Sequence, residues 1–223
     1  MALFLLLCMP LTGLFLGALG VSGRIRGDDA TARDLGWQFL AGGLAGLPCQ
    51  AILLLVSPLL VGSFRPGPLY VSSLFGDHIL PLLLAVLCYV AIHVAPVFGR
   101  RPESLASFSQ TGLFLAGYFA ILAVADYVGA RRELTGHALF LVPLARVATI
   151  IVYARILPRA VGSSGWQKAF PIAALVAWPF LAAFEGLWAR QGHSAAASLV
   201  SVGLALLIGA TWSLKGIRLR GAE

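Results

Sequence analysis

Apolar stretches of about twenty residues recur along the whole chain, and the short loops between them hold most of the arginines and lysines. A bilayer core about 30 Å thick requires about twenty residues of α-helix, at a rise of about 1.5 Å per residue. The pattern therefore predicts an all-α, polytopic transmembrane helix bundle that forms a single domain over residues 1–223. The seven predicted spans are 2–20, 37–61, 78–98, 105–128, 135–157, 169–188 and 195–214.

The composition supports a membrane protein and excludes an ordinary soluble domain. The 223 residues are 59% hydrophobic and 11% charged, and their mean hydropathy is +0.90, whereas soluble domains contain about 25% charged residues. The net charge of +7 comes from basic loops beside the apolar segments, a place where anionic lipid headgroups attract Arg and Lys. Membrane lipids are therefore the predicted partners of these loops, and nucleic acid is not.

The basic residues also predict an orientation. If the N-terminus lies outside, the inner loops and tail hold ten basic residues: Arg24, Arg26, Arg33, Arg100, Arg101, Arg159, Lys168, Lys215, Arg218 and Arg220. The outer loops then hold four: Arg65, Arg131, Arg132 and Arg190. The positive-inside rule therefore predicts an N-out, C-in, multi-pass protein of a bacterial-type inner membrane. Six spans would follow if the first segment were removed or lay in the interface.

Small residues and prolines indicate how the helices meet and bend. Gly13 and Gly17 have GxxxG spacing in the first segment, as do Gly42 and Gly46 in the second. Such faces let helices approach closely, either within one bundle or in self-association and contacts with other membrane subunits. Interior prolines such as Pro179 are expected to bend their helices or to leave a backbone carbonyl without its usual donor.

The three cysteines have no motif spacing that would define a site. Cys8, Cys49 and Cys88 all fall within apolar segments, and no CxxC pair is present. An odd count without such spacing indicates neither a disulfide framework nor a zinc site. We interpret the three as small buried apolar side chains.

The main polar feature is an arginine in the middle of the fifth segment. Arg146 lies about ten residues from either end of that segment, which is too deep for its side chain to reach the headgroups easily. Tyr153 follows at i+7 on the same helical face. Two acids are candidate ion-pair partners of this arginine: Asp126 near the end of the fourth segment and Glu185 near the end of the sixth.

These polar residues predict either a structural ion pair or a ligand site. Trp178 and Trp188 share a helical face with Glu185 and would give that acid an aromatic surround. The alternatives are an ion pair that holds the fourth to sixth helices together and a site for an anionic or polar ligand. His93, in the third segment, is a further candidate for an interhelical hydrogen bond or a ligand contact. No catalytic residue, metal site or cofactor is predicted.

The layout of residues 75–185 resembles that of bacterial members of the Yip1-type membrane family. The shared features are a helix that contains His93, a short Gly-Arg-Arg-Pro-Glu-Ser turn at 99–104, and a small polar run at 104–110 that starts the next helix. A Gly-Ser-Ser-Gly-Trp-Gln-Lys-Ala segment at 162–169 precedes a later span. The resemblance covers about half of the chain and implies a polytopic scaffold associated with membrane trafficking, without site residues.

Two classes of function follow from these observations. The first is a non-enzymatic protein, either a transport component or a membrane-embedded subunit of a larger complex, since the short loops leave little room for a catalytic domain. The alternative is an intramembrane enzyme that acts on a lipid or another anionic substrate through Arg146 and its two candidate acids.

Overall fold

The computed structural model describes residues 2–21, 31–60, 70–71, 74–94, 108–129, 138–162, 165–190, 199 and 203. Within these ranges the chain forms six α-helices: α1 (Ala2–Val21), α2 (Ala32–Leu60), α3 (Leu80–Val94), α4 (Phe108–Gly129), α5 (Ala138–Gly162) and α6 (Ala169–Arg190). A π-helical turn, Leu74–Ile79, leads into α3, and a 3-10 turn, Gly165–Lys168, leads into α6. The predicted helical bundle is confirmed. The seventh segment, 195–214, lies outside the described residues apart from positions 199 and 203.

The second helix begins earlier than predicted, at Ala32 rather than near residue 37. Thr31 and Asp34 cap its first turn reciprocally. The backbone N–H of Asp34 donates to Thr31 Oγ1 at 3.2 Å, and Thr31 Oγ1 donates to Asp34 Oδ2 at 2.7 Å. This is the capping-box arrangement with Asp at the third helical position, and it extends α2 into what the sequence predicted to be a polar loop.

Helix α4 is the centre of the bundle. It packs against α1, α2 and α5, and more lightly against α3, while α5 also contacts α6. All residues from Thr111 to Phe119 are buried. Leu14 on α1 and Leu44 and Leu55 on α2, in contrast, are at least 64% exposed. The apolar surface of the described bundle therefore points outward on its outer helices, as expected for a chain surrounded by lipid.

The closest helix contact is between α2 and α4, which are not neighbours in sequence. A Cβ added at Gly42 would overlap the carbonyl oxygen of Phe114 and lie 2.8 Å from its carbon. A Cβ added at Gly117 would overlap the carbonyl oxygen of Phe39 in the same way. Each helix thus uses a glycine to receive the backbone of the other. The GxxxG glycines of α2 pack within the chain, where close approach increases van der Waals contact.

Three helical segments of the described residues are long and apolar enough to cross a membrane: Arg33–Val56, Leu74–Ile92 and Phe108–Ala125. Two shorter apolar helices, Leu6–Val21 and Pro171–Ala183, accompany them. The buried fraction separates their roles, since 67% of the Phe108–Ala125 window is buried against 17% of the window in α2. α4 is therefore an interior helix, and α2 presents most of its surface outward.

Candidate functional site

Arg146 faces the central helix. It lies near the middle of α5, is half-buried, and places its guanidinium carbon Cζ 5.9 Å from the centroid of the Phe119 ring on α4. Phe119 itself is 3% exposed, so its position is fixed by packing. A guanidinium at this distance is attracted by the ring quadrupole, and the attraction grows as water is excluded. The cation is therefore held against the core of the bundle.

Tyr118, the residue before Phe119 on α4, connects α4 to α3. Tyr118 is fully buried. The Tyr118 hydroxyl donates a hydrogen bond to the carbonyl oxygen of Pro81 on α3 at 2.9 Å. Arg146 on α5 and Pro81 on α3 therefore meet two adjacent residues of α4, Phe119 and Tyr118.

A second set of polar contacts joins α5 to α6. The indole Nε1 of Trp178 donates to Thr149 Oγ1 at 3.0 Å, and Thr149 Oγ1 donates to the carbonyl oxygen of Ala145 at 2.8 Å. Trp178 and Thr149 are both buried. Because a buried indole N–H without a partner would be destabilising, this contact satisfies Trp178 and fixes the register of the two helices.

Tyr153 bonds to a carbonyl that a proline leaves without its helical donor. In an α-helix the N–H of residue 179 would donate to the carbonyl of residue 175, but Pro179 has no N–H. The Tyr153 hydroxyl donates to the Leu175 carbonyl oxygen instead, at 2.7 Å. The expectation that Pro179 frees a carbonyl agrees with this geometry, and the hydroxyl of Tyr153 has a structural role.

A further hydrogen bond joins α3 to α4. Tyr89 on α3 and Thr111 on α4 share a hydrogen bond of 2.9 Å, and both residues are fully buried. The Tyr89 ring also meets the Phe114 ring edge to face, with 5.3 Å between centroids. Side-chain hydrogen bonds thus join α3 to α4 and α5 to α6.

The structure brings together only part of the predicted site. Arg146, Tyr153 and Trp178 are described, and the last two make the structural hydrogen bonds given above. The helices include positions His93 (α3), Asp126 (α4), Glu185 and Trp188 (both α6), but these four side chains lie outside the described residues. The pairing of Arg146 with Asp126 or Glu185 stays a prediction.

The aromatic partners of Arg146 were not identified from the sequence. Phe119 and Tyr118 lie in an apolar helix, where aromatic residues are ordinary packing side chains, and no periodic pattern links them to an arginine on the next helix. Thr149, at i+3 from Arg146, shares its helical face by spacing, but its bond to Trp178 depends on how α5 and α6 dock. The one local signal was Pro179, which identifies Leu175 as a carbonyl that needs a donor.

The second arginine of α5 offers an internal comparison. Arg155 is also half-buried and also lies over a phenylalanine of α4, with Cζ 5.7 Å from the Phe108 ring centroid. Phe108 is the first residue of α4, whereas Phe119 lies in its middle. The two arginines therefore make the same kind of contact, one at an end of the bundle and one inside it.

A guanidinium in this position can bind an anionic group. Arginine presents five N–H donors in a planar fork that matches carboxylate and phosphate oxygens. The side chains around Arg146 add the Phe119 ring and the Tyr118 phenol, so the site combines one cation with an apolar and aromatic wall. No protein-family model, curated protein or solved structure matches this chain.

Proposed function

We propose that this protein is a non-catalytic, multi-pass component of a bacterial-type inner membrane, acting in transport or as an embedded subunit of a larger complex. In this proposal Arg146 holds an anionic group, a phosphate or a carboxylate of a lipid or solute, inside the bundle. The observation that carries the proposal is the half-buried guanidinium placed near the middle of α5 against Phe119.

The membrane part of the proposal rests on the outer helices and on the basic loops. Three described segments have the length and composition of spans, and α1 and α2 expose leucines along their outer faces. The excess of basic residues in alternate loops supports seven spans with the N-terminus outside and the C-terminus inside. The layout shared with Yip1-type proteins supports a scaffold-like role in the same setting.

The ligand part rests on the energetics of an interior charge. An arginine at the centre of a membrane helix costs about 2.5–3.5 kcal/mol on insertion scales, so such residues face a protein interior or a wet cavity and meet a counter-charge. The Phe119 ring offsets part of this cost, but a quadrupole does not neutralise a full charge. An anionic group beside the guanidinium would neutralise it in a setting of low dielectric, where the attraction is strongest.

A binding or coupling role fits this geometry better than catalysis. The hydroxyl of Tyr153 and the indole N–H of Trp178 are committed to bonds between α5 and α6. Arg146 contributes a cation with five N–H donors and no acceptor, a chemistry that suits holding an anionic group. The arrangement suits recognition and neutralisation of charge.

The test compares Arg146→Leu with Arg155→Leu, because both arginines lie over α4 phenylalanines. Purified proteins are heated in detergent micelles that contain phosphatidylcholine, with and without phosphatidylglycerol, and in separate samples with inorganic phosphate. Ligand at about one hundred times its Kd stabilises a folded protein by about 2.7 kcal/mol. We expect an anion to raise the Tm of the wild type and of Arg155→Leu but not of Arg146→Leu. The sample that gives the rise identifies a lipid or a free anion as the source.

A second variant separates loss of binding from loss of folding. Replacing Arg146, Asp126 and Glu185 together by leucine removes every charge of the predicted cluster, and apolar replacement of buried ion pairs is often tolerated. This variant should fold and show no anion-dependent rise in Tm. An equal rise in wild type, Arg146→Leu and the triple variant would refute anion binding at Arg146.

A further inference from the structure

Two cysteines from different helices lie in contact inside the bundle. The sulfurs of Cys49 on α2 and Cys88 on α3 are 3.7 Å apart, although 39 positions separate them in the chain. Both are free thiols, as is Cys8 on α1. The sequence interpretation of three independent apolar side chains did not anticipate this pair, because no short spacing connects residues 49 and 88.

The phenol of Tyr118 on α4 lies beside Cys49. Tyr118 lies within hydrogen-bonding reach of Cys49, and its own proton is donated to the carbonyl of Pro81. Either sulfur of the Cys49–Cys88 pair can donate its S–H to the other. Both thiols are thus held at one point of the α2–α3 contact, beside the central helix.

The two thiols differ in access. Cys49 is 2% exposed, whereas Cys88 is half-buried on α3. A small reagent therefore reaches Cys88 first, and Cys49 is the thiol placed to react with whatever Cys88 becomes. Cys88 is thus placed as the cysteine that reacts with the oxidant, and Cys49 as the resolving cysteine beside it.

We propose that Cys49 and Cys88 form an oxidation site at which a hydroperoxide produces an intramolecular disulfide between α2 and α3. In the first step the Cys88 sulfur attacks the peroxide: RSH + R′OOH gives RSOH + R′OH, so the sulfur is oxidised and the O–O bond is reduced. In the second step the Cys49 thiol attacks the sulfenic acid: RSOH + RSH gives RSSR + H₂O. The peroxide accepts both electrons, and no other reagent is required.

The apolar setting favours this product over a thiolate complex with a metal. A disulfide is neutral, as are the two thiols from which it forms, whereas metal binding would place two thiolates in a region that penalises charge. The sulfurs must approach from 3.7 Å to about 2.05 Å to bond. The new bond would fix α2 to α3 beside Tyr118.

The experiment uses the full chain in lipid nanodiscs, treated with hydrogen peroxide or with the membrane-soluble cumene hydroperoxide. After quenching and denaturation, free thiols are labelled with N-ethylmaleimide and the intact mass is measured. Untreated protein should take three labels, one for each free cysteine. Treated protein should take a single label, at Cys8, and its digest should contain Cys49 linked to Cys88. A faster reaction with cumene hydroperoxide would show that the oxidant reaches the cysteines from the bilayer. A faster reaction with hydrogen peroxide would show that it reaches them from water.

Single variants identify the role of each sulfur. Cys8→Ser should form the disulfide as the wild type does. Cys49→Ser should leave a sulfenic acid on Cys88 that dimedone traps, and Cys88→Ser should leave Cys49 reduced. Three labels on the treated wild type, oxidation of Cys8 as fast as that of Cys88, or links only between separate chains would overturn the proposal. The wild-type measurement tests the proposal even if a variant fails to fold.

Discussion

Replacing Tyr153 with phenylalanine removes one hydroxyl and leaves the ring in place. That hydroxyl donates at 2.7 Å to the Leu175 carbonyl, which Pro179 leaves without a helical donor. The loss of an interhelical hydrogen bond inside a membrane averages about 0.6 kcal/mol and reaches about 1.7 kcal/mol. Because Pro179 supplies no N–H to this carbonyl, we expect Tyr153→Phe to lower the free energy of unfolding by about 1–2 kcal/mol.

The same substitution should matter less once Pro179 is replaced by alanine. Residue 179 then has an N–H that can bond to Leu175, so Tyr153→Phe should cost less than about 0.5 kcal/mol in that background. The four proteins form a double-mutant cycle, in which the difference isolates the coupling between the two positions. Unfolding by sodium dodecyl sulfate in mixed micelles, monitored by circular dichroism, gives the four free energies of unfolding.

Tyr70→Phe is the matched control. Its hydroxyl also donates to a carbonyl of α6, that of Phe180 at 3.2 Å, but this carbonyl has a regular helical donor in residue 184. The control should cost little in both backgrounds. An equal loss from Tyr153→Phe with and without Pro179 would refute the view that the tyrosine replaces the missing N–H.

Two further substitutions test the packing and the start of α2. Gly42→Ala places a methyl group against the Phe114 carbonyl and should destabilise the protein by about 1–3 kcal/mol. In the control Gly43→Ala the new methyl group would lie 3.9 Å from its nearest neighbour, so this variant should be neutral or stabilised by up to about 1 kcal/mol. Equal stability of the two variants in thermal unfolding in detergent would contradict the α2–α4 contact. Thr31→Ala removes the cap of α2 and should cost about 1 kcal/mol of stability, with faster hydrogen exchange in the first turn of α2. The control Thr12→Ala, which removes a hydroxyl that bonds to the Cys8 carbonyl within α1, should change little. Unchanged exchange at residues 32–35 in Thr31→Ala would contradict the capping role.

Local features of the fold were readable from the sequence, because each depends on residues close together in the chain. The presence of helices follows from runs of apolar residues, and Pro179 indicates that the Leu175 carbonyl lacks its usual helical N–H donor. The Thr31–Asp34 cap was also readable as a Thr-x-x-acid signature, although the sequence interpretation treated it as a loop. Its charged residues resemble those of a solvated loop, and a helix that begins outside the apolar run is easily missed.

Contacts between helices were not readable, because each depends on how distant segments dock. The fit of Gly42 against Phe114 makes α2 and α4 partners across an intervening helix, which no loop length indicates. The same docking brings Cys49 to Cys88 and Phe119 to Arg146. For Arg146 the sequence analysis predicted an acidic partner, because opposite charges can be recognised in the sequence. The contact with the Phe119 ring could not be predicted, because it depends on how α4 and α5 pack.

The most direct test of anion binding at Arg146 is a density map of the purified protein in lipid nanodiscs that contain phosphatidylglycerol. We expect non-protein density within hydrogen-bonding distance of the Arg146 guanidinium, on the side not covered by Phe119, and its absence in Arg146→Leu. A site closed by a carboxylate of Asp126 or Glu185, with no density beside the guanidinium other than protein, would contradict the proposed role.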